Sequence, residues 1–155
     1  MKRFKIVSVL LLAAALICPV IAGDLENLKR YDSEPVEETA VQRKTVSKFM
    51  EECVKKGFPA TCFVSEVRTA KAFKGKEKKW EGKVDEFVKI NIKKIEFSKK
   101  SVRVVGVLTD KDDDLESDEM EFGLVRRAGK WQICDVWEGE EEYNFKKGKW
   151  ENPLE

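Results

Sequence analysis

The chain of 155 residues contains no histidine. That absence removes His-assisted serine or cysteine nucleophiles, His-ligated metals and any Asp–His base from its chemistry. Cysteine is scarce as well: Cys18, Cys53, Cys62 and Cys134 stand apart, without the close paired spacing of a thiolate zinc site. The glycines occur singly, and no glycine-rich phosphate loop is present. Long apolar runs are missing except for Ile6–Ile21, which follows Lys2, Arg3 and Lys5, and Val20 and Ala22 sit at the cleavage-reading positions before Gly23. Residues 1–22 therefore read as a secretory signal peptide, too short and too well punctuated for a membrane span. Cys18 as a lipid anchor is the rival reading, but Ile17 before it is larger than such processing prefers. A periplasmic or secreted location follows, with no membrane span after cleavage.

Charge of one sign is lacking too. The formal charge of +1 falls to −2 once the three cations of the leader are cut away, since no acid leaves with them. A near-neutral chain carries no global argument for nucleic acid or anionic lipid. The charges are nonetheless segregated: 71–100 is rich in Lys and 110–121 in Asp and Glu. Two solvated surfaces are the plain reading.

What remains after the leader suits a single domain. Residues 23–32 form a polar leader. Asp32, Ser33 and Pro35 predict the start of a helix whose stripe runs Val36, Ala40, Val46, Phe49, Met50, Cys53, Val54 and ends at Gly57-Phe58-Pro59. Residues 61–73 predict a second helix, with Cys62, Phe63, Val67, Ala70 and Phe73 on one face. From Phe87 the period changes to two. Val88, Ile90 and Ile92 alternate with polar residues, then slip at Lys93-Lys94, the mark of a bulge. Val102–Thr109 is the next strand. Asp118–Trp137 is a hairpin turning at Ala128-Gly129, where glycine supplies the positive φ of a tight turn. Residues 139–155 read as a tail with Tyr143, Phe145 and Trp150 around a Lys-Lys-Gly-Lys turn. The expectation is an α+β domain over 33–138, with N-terminal helices packed on one face of a curled antiparallel sheet of four to five strands.

The run Val-Arg-Val-Val-Gly-Val-Leu (102–108), an acidic loop, then Glu-Phe-Gly-Leu-Val-Arg-Arg-Ala-Gly-Lys-Trp-Gln-Ile-Cys-Asp-Val-Trp (121–137) resembles the nuclear transport factor 2-like superfamily, of cystatin-like fold. Small exported bacterial members are similar in size and layout, and the resemblance covers roughly 33–137. Its most specific token, Gly-Lys-Trp-x-Ile, is structural and carries no activity. The resemblance implies a cone with an apolar pocket between helices and sheet, frequently dimeric. Isomerases, dehydratases and non-catalytic binding modules share that fold, so it cannot choose among them.

Several residues stand out. Asp135 shares one nominal strand face with Trp131, Ile133 and Trp137. A carboxylate among aromatics has a raised pKa and can serve as a base or anchor a ligand donor. The blander reading is a strand-end carboxylate paired with Arg or a backbone N–H. Trp80, Trp131, Ile133, Asp135 and Trp137 are the pocket candidates, against the ordinary alternative of core aromatics. Asp110, Asp112, Asp114 and Glu121 fall at ligand positions of a calcium-loop template, but Leu115 replaces its required glycine and the flanks read as strands. A solvated acidic turn, binding calcium no better than on the order of millimolar, is the expectation. No cofactor is expected.

The export signal makes disulfides admissible. Gly57 and Pro59 force a corner between Cys53 and Cys62, and such a corner can bring the two Cα atoms within the ~4.4–6.8 Å of a bridge. That bridge would contribute roughly 2–3 kcal/mol. Cys134 is left as a buried thiol. Three readings of function stay open: a non-enzymatic envelope module binding a small apolar ligand or a protein partner, a pocket enzyme using Asp135, or a structural partner domain in an envelope assembly.

Overall fold

A computed structural model describes residues 31–82 and 86–155. The expected signal peptide, Cys18 and almost all of the expected polar leader lie outside the described residues. Among the described residues no helix is long and apolar enough to cross a membrane.

Among the described residues one α-helix precedes a largely β domain. Helix α1 spans Ala40–Lys55 and buries Val46, Met50, Cys53 and Val54, a stripe at helical spacing. Its cap is Thr39, whose hydroxyl accepts the Gln42 N–H at 3.1 Å. The expected cap at Asp32 or Ser33 fails for a traceable reason. The N–H groups of Glu34 and Val36 are taken by the carbonyls of Arg126 and Lys99, at 2.8 and 2.9 Å. Ser33 accepts the Arg126 N–H at 3.0 Å. Tied to the sheet in this way, residues 33–36 stay extended.

The second expected helix does not form. Residues 60–73 make two short 3-10 turns, Ala60–Cys62 and Ser65–Val67, and then enter strand β1, Phe73–Lys74. Here Phe63 bridges to Ile133, and the Val64 N–H bonds the Ile133 carbonyl at 2.9 Å. An i→i−4 ladder cannot also use that donor. Both Phe63 and Val64 are fully buried, so the segment hides more than one face. Strand β1 pairs with β2, Lys79–Trp80, in a small separate sheet.

The main sheet has six antiparallel strands in chain order: β3 Phe87–Phe97, β4 Val102–Asp110, β5 Glu116–Arg127, β6 Lys130–Glu138, β7 Glu141–Asn144 and β8 Lys149–Glu151. The expected architecture, two N-terminal helices on four to five strands, is thereby corrected, among the described residues, to one helix with a six-stranded sheet and a two-stranded annex. The expected C-terminal tail supplies two of the six strands. The register slips between Ile92 and Lys94, where the sequence breaks its alternation. The β5–β6 turn sets Ala128 and Gly129 at φ 49° and 70°, a two-residue primed turn suited to the sheet's twist.

The core is continuous from α1 through Val104, Phe122, Leu124, Ile133 and Val136 to an aromatic corner. Phe63 centres that corner, with ring centroids 4.9 Å from Phe73, 5.7 Å from Phe145, 6.0 Å from Trp80 and 6.4 Å from Phe58. Tyr143 adds edge-on contacts to Trp80 and Phe145 at 5.2 and 5.1 Å. The hairpin turn of β7–β8 presses close: a Cβ on Gly148 would stand 2.4 Å from the Lys71 carbonyl oxygen.

Candidate functional site

A β-bulge divides the residues that the sequence placed on one face. Opposite Gly123 and Leu124 the pairing jumps from Asp135 to Ile133, leaving Cys134 unpaired between them. Residues paired across strands share a face. Ile133, paired with Leu124, and Trp131, paired with Arg126, therefore face the core side. Asp135, paired with Gly123, and Trp137, paired with Glu121, face the other. The expected single face of Trp131, Ile133, Asp135 and Trp137 is thus corrected. Trp80 belongs to neither group and sits in the aromatic corner.

Asp135 is 3% exposed although it stands on the outer face. Around it lie long side chains from neighbouring strands. Arg103, Gly123 and Asp135 form one cross-strand row, with only a glycine between the cation and the acid. The Arg103 guanidinium lies 3.3 Å from Glu121 and 3.7 Å from Glu96. The first contact is an ion pair without hydrogen-bond alignment. Burial pushes the Glu121 carboxyl above the usual range, and Arg103 opposes that shift. The Trp137 indole N–H is buried with no acceptor in reach. Val105 and Trp137 are buried here outside the main core cluster. The arrangement is a closed polar patch, covered by its own side chains.

Space for a ligand occurs elsewhere. A groove of about 920 Å³ runs along the β7–β8 hairpin, lined by Tyr31, Tyr143, Phe145, Trp150, Lys147 and Glu151 among others. Lys147 and Lys149 hold the Glu151 carboxyl down, at about 2. Asn144 donates to the same carboxylate at 2.7 Å. Aromatic faces and a charge-paired rim thus share one groove. A second groove, of about 600 Å³, lies over the corner, with Phe73 and Ala60 among its apolar walls and Arg68, Lys74 and Lys78 as its cations. None of Trp80, Trp131, Ile133, Asp135 or Trp137 lines either groove.

One carboxylate of the acidic loop turns to the loop's own backbone and another to a lysine of β3. Asp110 Oδ1 accepts the N–H groups of Asp112 and Asp114, each at 3.1 Å, and Asp113 is paired with Lys89 at 2.9 Å. Among the described residues no group of three or more potential ligands gathers around a point. Cys53, Cys62 and Cys134 are buried free thiols, with no bridge formed between the first two.

The β7–β8 groove is the feature that sequence reasoning missed. Its signal was present: Tyr143 and Phe145 alternate on one side of Lys-Lys-Gly-Lys, and Trp150 returns on the other, the pattern of a hairpin. Compared with protein-family models, curated proteins and solved structures, the chain matches none.

Proposed function

We propose that this chain is an exported, non-enzymatic binding module whose ligand or protein partner seats on the groove of the β7–β8 hairpin. The observation that carries the reading is the separation of chemistry from space. The one buried acid of the sheet, Asp135, lies on the closed outer face, whereas the larger groove offers aromatic side chains beside paired charges. Such a surface suits an extended segment of mixed aromatic and charged residues, since rings give contact area and charges give register. The resemblance of 102–108 and 121–137 to the nuclear transport factor 2-like superfamily, with Gly129–Ile133 as its most specific token, accords with a binding module and carries no activity.

The test is titration of isotope-labelled protein with two panels, small apolar ligands and extended peptides alternating aromatic and charged residues. Amide shifts confined to Tyr31 and 141–153, weakened by Lys149→Glu, support the groove. Saturable shifts centred on Asp135 and Trp137, or turnover abolished by Asp135→Asn, would overturn it. Export is checked by intact mass of protein recovered from its host, expected to begin at Gly23. A chain retaining Met1, or one starting at a lipid-modified Cys18, defeats that part.

A further inference from the structure

The corner between α1 and the aromatic cluster holds two thiols in contact. Cys53 occupies the last turn of α1 and is 1% exposed, and Cys62 closes the first 3-10 turn at 9%. The chain reverses between them: Gly57 and Phe58 take φ values of 72° and 54°, and the Phe58 N–H returns to the Cys53 carbonyl at 2.8 Å. The reversal brings the Cys62 sulfur into hydrogen-bond reach of the Cys53 thiol. Their surroundings differ. Hydrogen bonding to Cys62, with burial second, pushes the Cys53 thiol up. The hydrogen bond from Cys53, helped by Lys56 and Arg68 against burial, pulls the Cys62 thiol down. Arg68 and Thr61, the neighbour of Cys62, also line the 600 Å³ groove with Lys74 and Lys78. An anionic reagent therefore has a cationic approach beside Cys62, the more exposed of the two thiols.

We propose that Cys53 and Cys62 are an oxidisable pair with a fixed order of attack, Cys62 taking up a small anionic disulfide donor and Cys53 then closing an internal bridge. In the first step the Cys62 thiolate attacks one sulfur of the donor. The donor's S–S bond breaks, a mixed disulfide forms, and half of the donor leaves as a thiolate. In the second step Cys53 gives up its proton to solvent and attacks the Cys62 sulfur. The mixed disulfide breaks, and the other half of the donor leaves as a thiolate, which is protonated in water. Two protein thiols are oxidised and one donor disulfide is reduced to two thiols. The bridge fastens the end of α1 to the 3-10 corner, and this holds whatever occupies the hairpin groove. Cys134 stays out of the exchange: it is fully buried and its Sγ donates to the Gly123 carbonyl at 3.4 Å.

The full folded chain, reduced and then exposed to oxidised glutathione, tests the order. Samples are quenched with acid and alkylated unfolded, and each site is assigned by peptide mapping, so that Cys18 is read separately. Wild type should pass through a glutathione adduct on Cys62 to a 53–62 bridge, with Cys134 still alkylated. Cys53→Ser should stop at one glutathione on Cys62, and Cys62→Ser should lose the adduct at both positions. The bridged form should melt higher than its reduced form. Adducts forming first on Cys53 or Cys134, equal trapping in the two variants, or a wild type that keeps both corner thiols alkylatable would each overturn the proposal. Should a serine variant unfold, the wild-type time course decides alone, by whether the Cys62 adduct precedes the bridge.

Discussion

On one side of β4–β6, Val104, Phe122, Leu124, Ile133 and Val136 join the stripe of α1 and the aromatic corner. On the other side of the same strands, Arg103, Glu121, Asp135 and Trp137 cover one another. The first side is wholly buried, whereas on the second Asp135 and Trp137 are buried and Arg103 and Glu121 half-buried, and the cause of burial differs. The first side is sealed by apolar area, which is non-directional and tolerates small adjustments. The second is sealed by long amphipathic side chains laid over charges, so each charge depends on a particular neighbour. The lesson is that burial of a carboxylate does not by itself mark a site: Asp135 is hidden by the patch it belongs to.

The largest effect should separate the two sides most sharply. Phe63→Ala removes the ring at the centre of the corner and should cost about 3–5 kcal/mol in urea unfolding. Trp137→Ala, on the patch, should cost less, and equal losses would break the comparison.

Arg103→Leu comes next, with an expected loss of about 1–3 kcal/mol from uncompensated polar groups. Its pH dependence carries a sign. Glu121 already has a raised folded pKa, and removal of Arg103 raises it further. A carboxyl whose folded pKa lies above its unfolded value supports the fold when protonated, and that support is lost as pH rises through the folded pKa. The Arg103→Leu deficit should therefore grow from acid towards neutral pH, and Glu121→Gln on that background should flatten it. A deficit independent of pH would show that Arg103 acts through packing alone.

A smaller gain is expected away from both sides. Ala128 holds a left-handed φ of 49° in the β5–β6 turn. Ala128→Asn suits that turn better and should raise stability by up to about 1 kcal/mol, read as a higher melting temperature. No gain would mean that the neighbouring ties of residues 32–34 set the turn's conformation.

The smallest effect concerns the exposed tie between the corner and the sheet end. Arg127 grips both oxygens of Glu66 at 2.8 Å and holds its carboxyl at about 2, well below its ordinary 4.5. The pair is half exposed, so its worth is about 0.2–1 kcal/mol. That contribution is present above the ordinary value and lost as pH falls towards about 2. The stability difference between wild type and Glu66→Gln should close over that window and shrink with salt. A difference that survives at pH 2 would point to another role for Glu66.

Strands were legible wherever alternation and turn chemistry agreed: Phe87–Phe97 with its slip, Val102–Asp110, and the hairpin at Ala128-Gly129. The end of α1 was legible for the same kind of reason, since Gly57, Phe58 and Pro59 act locally. Residues 60–73 were not, because apolar spacing there fits a helix face as well as a segment buried on several sides. Only the distant Ile133 backbone decides between them. Asp135 was legible as an unusual residue and illegible as to its side. One unpaired residue, Cys134, reverses the facing of everything after it.

Determined by the sequence alone were the chemistries closed to a chain without histidine, the cationic start and apolar run of residues 2–21, and the local signals of helix end, strand and tight turn. Each depends on residue identity or on neighbours a few positions away. Decided only by the tertiary structure were the start of α1, the loss of the second helix, the incorporation of 141–151 into the sheet, and the place of the grooves. Those depend on which distant backbone groups compete for the same hydrogen bonds. They depend also on which side of a strand a bulge leaves facing the core, and neither is encoded in local periodicity.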